Sequence, residues 1–255
     1  MDVLENPFVV FMIAAAAQWL AAYAGDFLRT RGYALGPDDR EEFNLVRNAA
    51  LTLLALIIGF SFSMAVTRYD QRKNYEEAEA NAIGTEYVRA DLLPPDEAAN
   101  VRKLLSEYID QRVLFYVTRD QAQIRRIDAD TARLQADLWS AISRAAAAHP
   151  TPVVVLAAAG MNDVLNSQGY TQAAWWNRIP PTAWGLVGLI AISCNLLIGY
   201  GDHRTRGLLL SILPVIVSVS FFLIADIDSP RGGVINVSPQ NLIATSQFMK
   251  SQRPL

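Results

Sequence analysis

"GFSFSMAVTRYDQRKNYEEAEA" (residues 59–80) begins as sequence suited to lipid and ends as a densely charged helix. After Gly59 no glycine, proline or turn cluster marks the change. The stretch predicts one helix that leaves a membrane and continues into a solvated domain. Upstream, the apolar run Leu45–Val66 carries only Arg47. Three more runs, Pro7–Gly25, Trp184–Tyr200 and Gly207–Ala225, carry no charge. Each is roughly 17–22 residues long, the length an α-helix needs to cross a hydrocarbon core. The first run follows acidic MDVLEN, whereas a secretory signal starts with a basic region, so it reads as a retained span. A composition of 52% hydrophobic and 18% charged residues, with mean hydropathy +0.17, fits spans plus a soluble part.

The expected architecture is an all-α membrane protein with four transmembrane helices in two hairpins. Residues 1–66 form the first hairpin, 67–182 a helical soluble domain, 183–226 the second hairpin and 227–255 a C-terminal tail. The segment 67–182 holds 13 of the 22 basic and 15 of the 25 acidic residues. Pro94-Pro95, "HPTP" (149–152) and Pro180-Pro181 divide it into helices over 67–93, 96–117, about 120–148 and about 153–176. Val101, Leu104, Leu105, Tyr108, Ile109 and Val113 repeat at helical spacing, as do Ile124, Ile127, Leu134, Leu138 and Ile142. "VVVLAAAG" (153–160) is too short to span and reads as a buried helical face. Residues 26–44, with Gly36-Pro37, read as a loop, as does "GDHRTR" (201–206). Five basic residues flank the spans on each side, so the positive-inside rule assigns no orientation.

On a helix of about 100° per residue, Asn48, Thr52, Ala55, Gly59 and Ser63 share one face of the second span. Leu53, Leu56, Ile57, Phe60 and Met64 share another. The small face suits close helix packing, leaving the large one for lipid. Equally, Leu53, Leu56 and Phe60 suit a hydrophobic constriction, or Asn48, Thr52 and Ser63 a wetter path. Just beyond, Arg68, Asp70, Arg72 and Lys73 read as interfacial anchors, with pairs Arg72–Glu76 and Lys73–Glu77, or as a charged vestibule that couples pore and domain. Glu76, Glu77, Glu79 and Glu86 read as a solvated face, or as an acidic run that would favour cations if it faced a pore. Asp226 and Asp228, before Pro230, are either caps of a turn or functional carboxylates at a span end. Pro214 is expected to kink the fourth span, and Trp175 and Trp176 to rest at the membrane surface.

"GFSFSMAVTRYDQR" resembles the corresponding segment of the bestrophin family through Gly59, Phe60, Val66, Thr67, Arg68 and Tyr69. "ADIDSPRGG" (225–233) is similar to the segment after the last bestrophin span. "EEAEANAIGTEYVRADLLP" (76–94) resembles a group of bacterial four-span proteins described as bestrophin-like. The resemblance implies a homo-oligomeric ion channel, pentameric in bestrophins, passing anions or cations through a pore lined by the second span. Phe60 then sits in the neck, Leu56 one turn before it and Thr52 next, where bestrophins carry an apolar residue. It also implies a bacterial inner-membrane protein with its large domain in the cytoplasm, and one rigid helix joining pore to domain. The acidic calcium-sensing cluster is absent, since "RGGVINVSPQ" follows Ser229-Pro230, so no calcium gating of that kind is expected.

The expected partners are the lipid bilayer, inorganic ions and copies of the chain itself. With net charge −3 and no Lys/Arg-rich run, nothing points to nucleic acid. No cofactor or catalytic motif is present, and neither histidine nor the single cysteine has metal-ligand spacing, so no enzyme activity and no metal are expected. The alternative function is a non-conducting membrane scaffold or sensor whose helical domain binds a partner.

Overall fold

The computed structural model describes residues 6–32, 37–201 and 207–252. The described residues are helical with short connections, and no strand occurs among them. In order the helices are α1 (Pro7–Arg31), α2 (Pro37–Arg89), α3 (Pro95–Val117), α4 (Gln121–Ala148), α5 (Pro152–Trp176), α6 (Pro181–Gly201), α7 (Gly207–Asp228) and α8 (Gln240–Ser251). A 3-10 turn, Ala90–Leu92, follows α2. The predicted stops hold because proline opens α3, α5 and α6, where its missing N–H costs nothing. Asn6, Asp120 and Thr151 cap α1, α4 and α5 through their side-chain oxygens.

Three boundaries differ from expectation. Residues 26–44 are largely helix: α1 runs on to Arg31 and α2 begins at Pro37, while Gly36 lies outside the described residues. Arg29 and Arg31 in the last turn of α1 complement its C-terminal dipole and favour the extension. Residues 202–206 also lie outside the described residues. Residues 240–251, read only as tail, form α8. Helix α7 continues on both sides of Pro214.

Four helical stretches are long and apolar enough to cross a membrane: Pro7–Arg31, Asp39–Leu92, Pro152–Gly201 and Leu210–Asp228. The chain is an integral membrane protein. It divides into an apolar unit, residues 1–69 with 178–236, and a polar unit, residues 70–177 with 237–255.

In the apolar unit α1 packs against α6 and α7. The α1–α6 contact is built from small residues. A Cβ on Gly25 would stand 2.8 Å from the backbone N of Tyr200, and one on Gly199 3.0 Å from that of Asp26. With little hydrophobic drive between helices in lipid, such close backbone approach supplies the packing energy. Gly199→Val is therefore expected to push α1 and α6 apart and to cost about 2 kcal/mol or more, read as a lower unfolding temperature in detergent. Val10, Leu54, Val187, Ala191, Cys194, Val217 and Phe221 fill the core between α1, α2, α6 and α7.

In the polar unit α3 packs against α4 and α8, and α4 against α5. The predicted stripe of α4, Ile124 to Ile142, is buried throughout. Of "VVVLAAAG", only Val154, Ala157 and Gly160 are buried. Val153, Val155 and Leu156 stand on the outer side of α5, because one helix face cannot take consecutive residues inward.

Candidate functional site

Within the apolar unit α2 buries Leu54, Ser61 and Ala65, residues that recur at helical spacing on one side. Asn48, Thr52, Leu53, Leu56, Gly59, Phe60, Ser63 and Met64 are all exposed. Ile57, at the edge of the large face, is half-buried against the core, so apart from it both candidate faces of the second span lie outside the chain's own packing. Only 17% of the most apolar α2 window is buried, against 44% for α7. The Thr52 hydroxyl donates to the Asn48 carbonyl and that of Thr67 to the Ser63 carbonyl, each at 2.9 Å, so these two hydroxyls are satisfied within the helix. Phe60 is 62% exposed, more than Phe62, the other exposed phenylalanine of this half of α2.

At the end of α7 two carboxylates organise a turn. Asp228 accepts from the backbone N–H of Ile179 (3.0 Å) and from Arg68 (3.5 Å). Asp226 accepts from the N–H groups of Val234 (2.7 Å) and Ile235 (2.8 Å). The Ser229 hydroxyl accepts from Arg178 (3.1 Å) and from Gly232 N–H (3.0 Å), with Pro230 between them in the turn. Both carboxylates are buried and both hold backbone amides. Arg68 and Asp228 are brought together, whereas Asp70 and Arg72 belong to the polar unit. Arg72 is 1% exposed and has no surface to give to a water-filled vestibule. Asp70 is exposed.

The acidic run of α2 departs most from expectation. Glu77 is exposed, but Glu76, Glu79 and Glu86 are buried in the polar unit. The physical reason is partnership or neutralisation, the two ways a carboxyl survives burial. Glu79 forms a buried ion pair with Arg112 of α3 and accepts from the Thr171 hydroxyl of α5 (3.0 Å). The Arg112 guanidinium lies 4.5 Å from the Phe115 ring centre, and Phe115 packs with Tyr116 and Trp175. Trp175 is therefore core, not membrane surface, while Trp176 is exposed. Burial pushes the Tyr108 phenol above its ordinary range, and the Glu79 charge adds to it.

Glu76 caps a helix distant in sequence. Its carboxylate accepts from Leu242 N–H (2.9 Å) and from the Asn241 side chain (2.7 Å) in the first turn of α8, whose own N-cap, Pro239, offers no side-chain acceptor. Asp110 accepts from Ser246 (3.0 Å) and Lys250 (2.9 Å) further along α8. Glu86 has no such partner. Burial pushes its carboxyl up to about 8, against the pull of Arg89 and with the help of Asp163.

Sequence reasoning missed a polar link through the apolar unit. Asn195 of α6 donates to Gln18 of α1 (3.1 Å), and Gln18 donates to Ser218 of α7 (3.2 Å), all three being buried. The signal was available, since Gln18 is the one amide side chain in an otherwise apolar run, and such residues bind span to span. No signal of this kind marks the Glu79–Arg112 pair, whose members lie 33 residues apart.

A family model, the bestrophin-like domain, matches residues 43–242. A bacterial bestrophin homologue from Klebsiella pneumoniae is similar in fold, with a TM-score of 0.66 at 15% identity, over 97% of this chain and 99% of that one. A variant of that homologue with an aspartate replaced by alanine is similar too, with a TM-score of 0.66 at 14% identity, over 96% and 97% of the two chains. Curated proteins yield no match. With 200 consecutive residues matched by the family model and the same helical fold over nearly its full length, this chain belongs to the bestrophin-like family.

Proposed function

We propose that this protein is a homo-oligomeric ion channel in which each copy contributes α2 to the lining of one path. The observation that carries the reading is the one-sided burial of α2 in the apolar unit. Leu54, Ser61 and Ala65 are packed, while the surface bearing Thr52, Leu56 and Phe60 is left outward over several turns. Family membership and the bestrophin-type fold support it. In a ring of copies, Phe60 and Leu56 form a hydrophobic neck that gates by dewetting, and the Thr52 hydroxyl and Asn48 amide line a wetter approach. Asp70, exposed beyond the span, is the charge suited to a vestibule. By the same family analogy the protein sits in a bacterial inner membrane with its large domain in the cytoplasm.

Currents through purified protein in planar bilayers, wild type beside Phe60→Ala, test this. Discrete currents are expected, with conductance or gating changed in the variant, because a smaller neck residue leaves a wider, wetter constriction. Reversal potentials in a salt gradient then give the sign of the permeant ion. Silence from both proteins after verified reconstitution would overturn the reading in favour of a non-conducting scaffold or sensor.

A further inference from the structure

Glu86 is fully buried in the polar unit, and neither of its carboxyl oxygens has a hydrogen-bond partner. It faces α5 at Gly160. A Cβ placed on Gly160 would collide with Glu86 Oε2 and with Nη1 of Arg89. The absence of a side chain at 160 is what lets α5 close over the two groups. The contact is therefore tight, and it contains a group that can change charge.

We propose that Glu86, Arg89 and Gly160 form a proton-operated latch between α2 and α5 of the polar unit. With its carboxyl protonated, Glu86 is a neutral side chain that sits under Gly160 at no charge-burial cost. When it ionises, a carboxylate in this position lacks any hydrogen bond. Its relief is to swing toward water or toward Arg89, and either movement displaces the groups on which Gly160 rests. Packing of α5 on α2 then loosens. The charged groups around it are few. Arg89 on α2 itself favours the ionised form, and Asp163 on α5 disfavours it. Asp91, in the 3-10 turn that also packs on α5, is engaged with Arg102 of α3. The latch stands on the polar unit alone and holds whether or not the protein conducts.

The direction follows from the raised carboxyl, held at about 8 in the folded chain. The folded protein keeps a proton that the unfolded chain releases in the ordinary glutamate range. Its stabilising contribution is complete below that range, falls as pH rises through the window, and is lost above about 8. Neutral pH lies inside the window, so modest alkalinisation loosens the α2–α5 contact and modest acidification tightens it.

Hydrogen exchange of the intact protein in detergent or nanodiscs, corrected for the intrinsic pH dependence of amide exchange, reads the latch. Opening of the α5 segment around Gly160 is expected to increase by up to roughly tenfold per pH unit across the window, the slope of one proton. Glu86→Gln, which fixes the side chain neutral, is expected to flatten that slope. The same slope in wild type and Glu86→Gln would overturn the proposal. If the variant fails to fold, the infrared carboxyl band of glutamate-labelled wild type decides instead. A protonated glutamate persisting at about pH 6, well above the ordinary value, upholds the latch, and complete ionisation there overturns it.

Discussion

Arg112→Ala is expected to unfold the polar unit at temperatures that leave the wild type intact, with a loss of about 3–5 kcal/mol. Arg112 and Glu79 both have no exposed side-chain surface. Their carboxylate and guanidinium were taken out of water together, so removing one leaves the other as an uncompensated buried charge. Thr171 alone cannot replace a guanidinium that meets both oxygens of Glu79. Because a whole domain is stable by only about 5–15 kcal/mol, this single loss is a large fraction of the total. Thermal unfolding in detergent, together with hydrogen exchange over α3 and α5, measures it. The companion variant, Glu79→Leu with Arg112→Met, is expected to recover most of the loss, since an apolar pair of similar volume avoids the desolvation cost and methionine keeps a contact with Phe115. A loss below about 1 kcal/mol in Arg112→Ala would mean that water reaches Glu79, and would sink the buried-pair account.

Asp228→Ala is expected to cost about 2–4 kcal/mol by stranding the buried N–H of Ile179 and the guanidinium of Arg68. Asp228→Asn keeps an acceptor for Ile179 but no charge for Arg68, so its loss is expected to be smaller. The order of unfolding temperatures, wild type above Asn above Ala, is the test. The reverse order for the two variants would contradict the capping role. The same pair separates structure from conduction. A residue that only caps a turn leaves the reversal potential unchanged in Asp228→Asn, whatever happens to stability.

Much of the architecture was legible because a bilayer imposes coarse demands. Charge-free runs of span length, prolines that open α3, α5 and α6, and the regular stripe of α4 are local signals, each readable without knowing any partner. The site was less legible. Periodicity found both candidate faces of α2 and had no means of choosing between them, and both are exposed apart from Ile57. Arg72, Glu76, Glu79 and Glu86 look like solvated charge in a linear reading. The burial of the three glutamates depends on Arg112 from α3, Thr171 and Gly160 from α5, and the first turn of α8, none of which lies nearby in sequence. Helix α8 itself was missed because its N-terminal cap, Glu76, lies 166 residues away.

From its sequence alone this chain is committed to four membrane-length helices and a helical polar segment, with one helix passing from apolar to charged without a break. These follow from hydropathy, length and the backbone limits of proline, which act within a few residues of chain. Only the tertiary structure decides which charges are buried, because burial of a carboxylate is set by whether a distant cation, amide or proton meets it there. The same fold decides that Asp226 and Asp228 hold a turn, and that Glu86 is buried against Gly160 with no hydrogen-bond partner for its carboxyl.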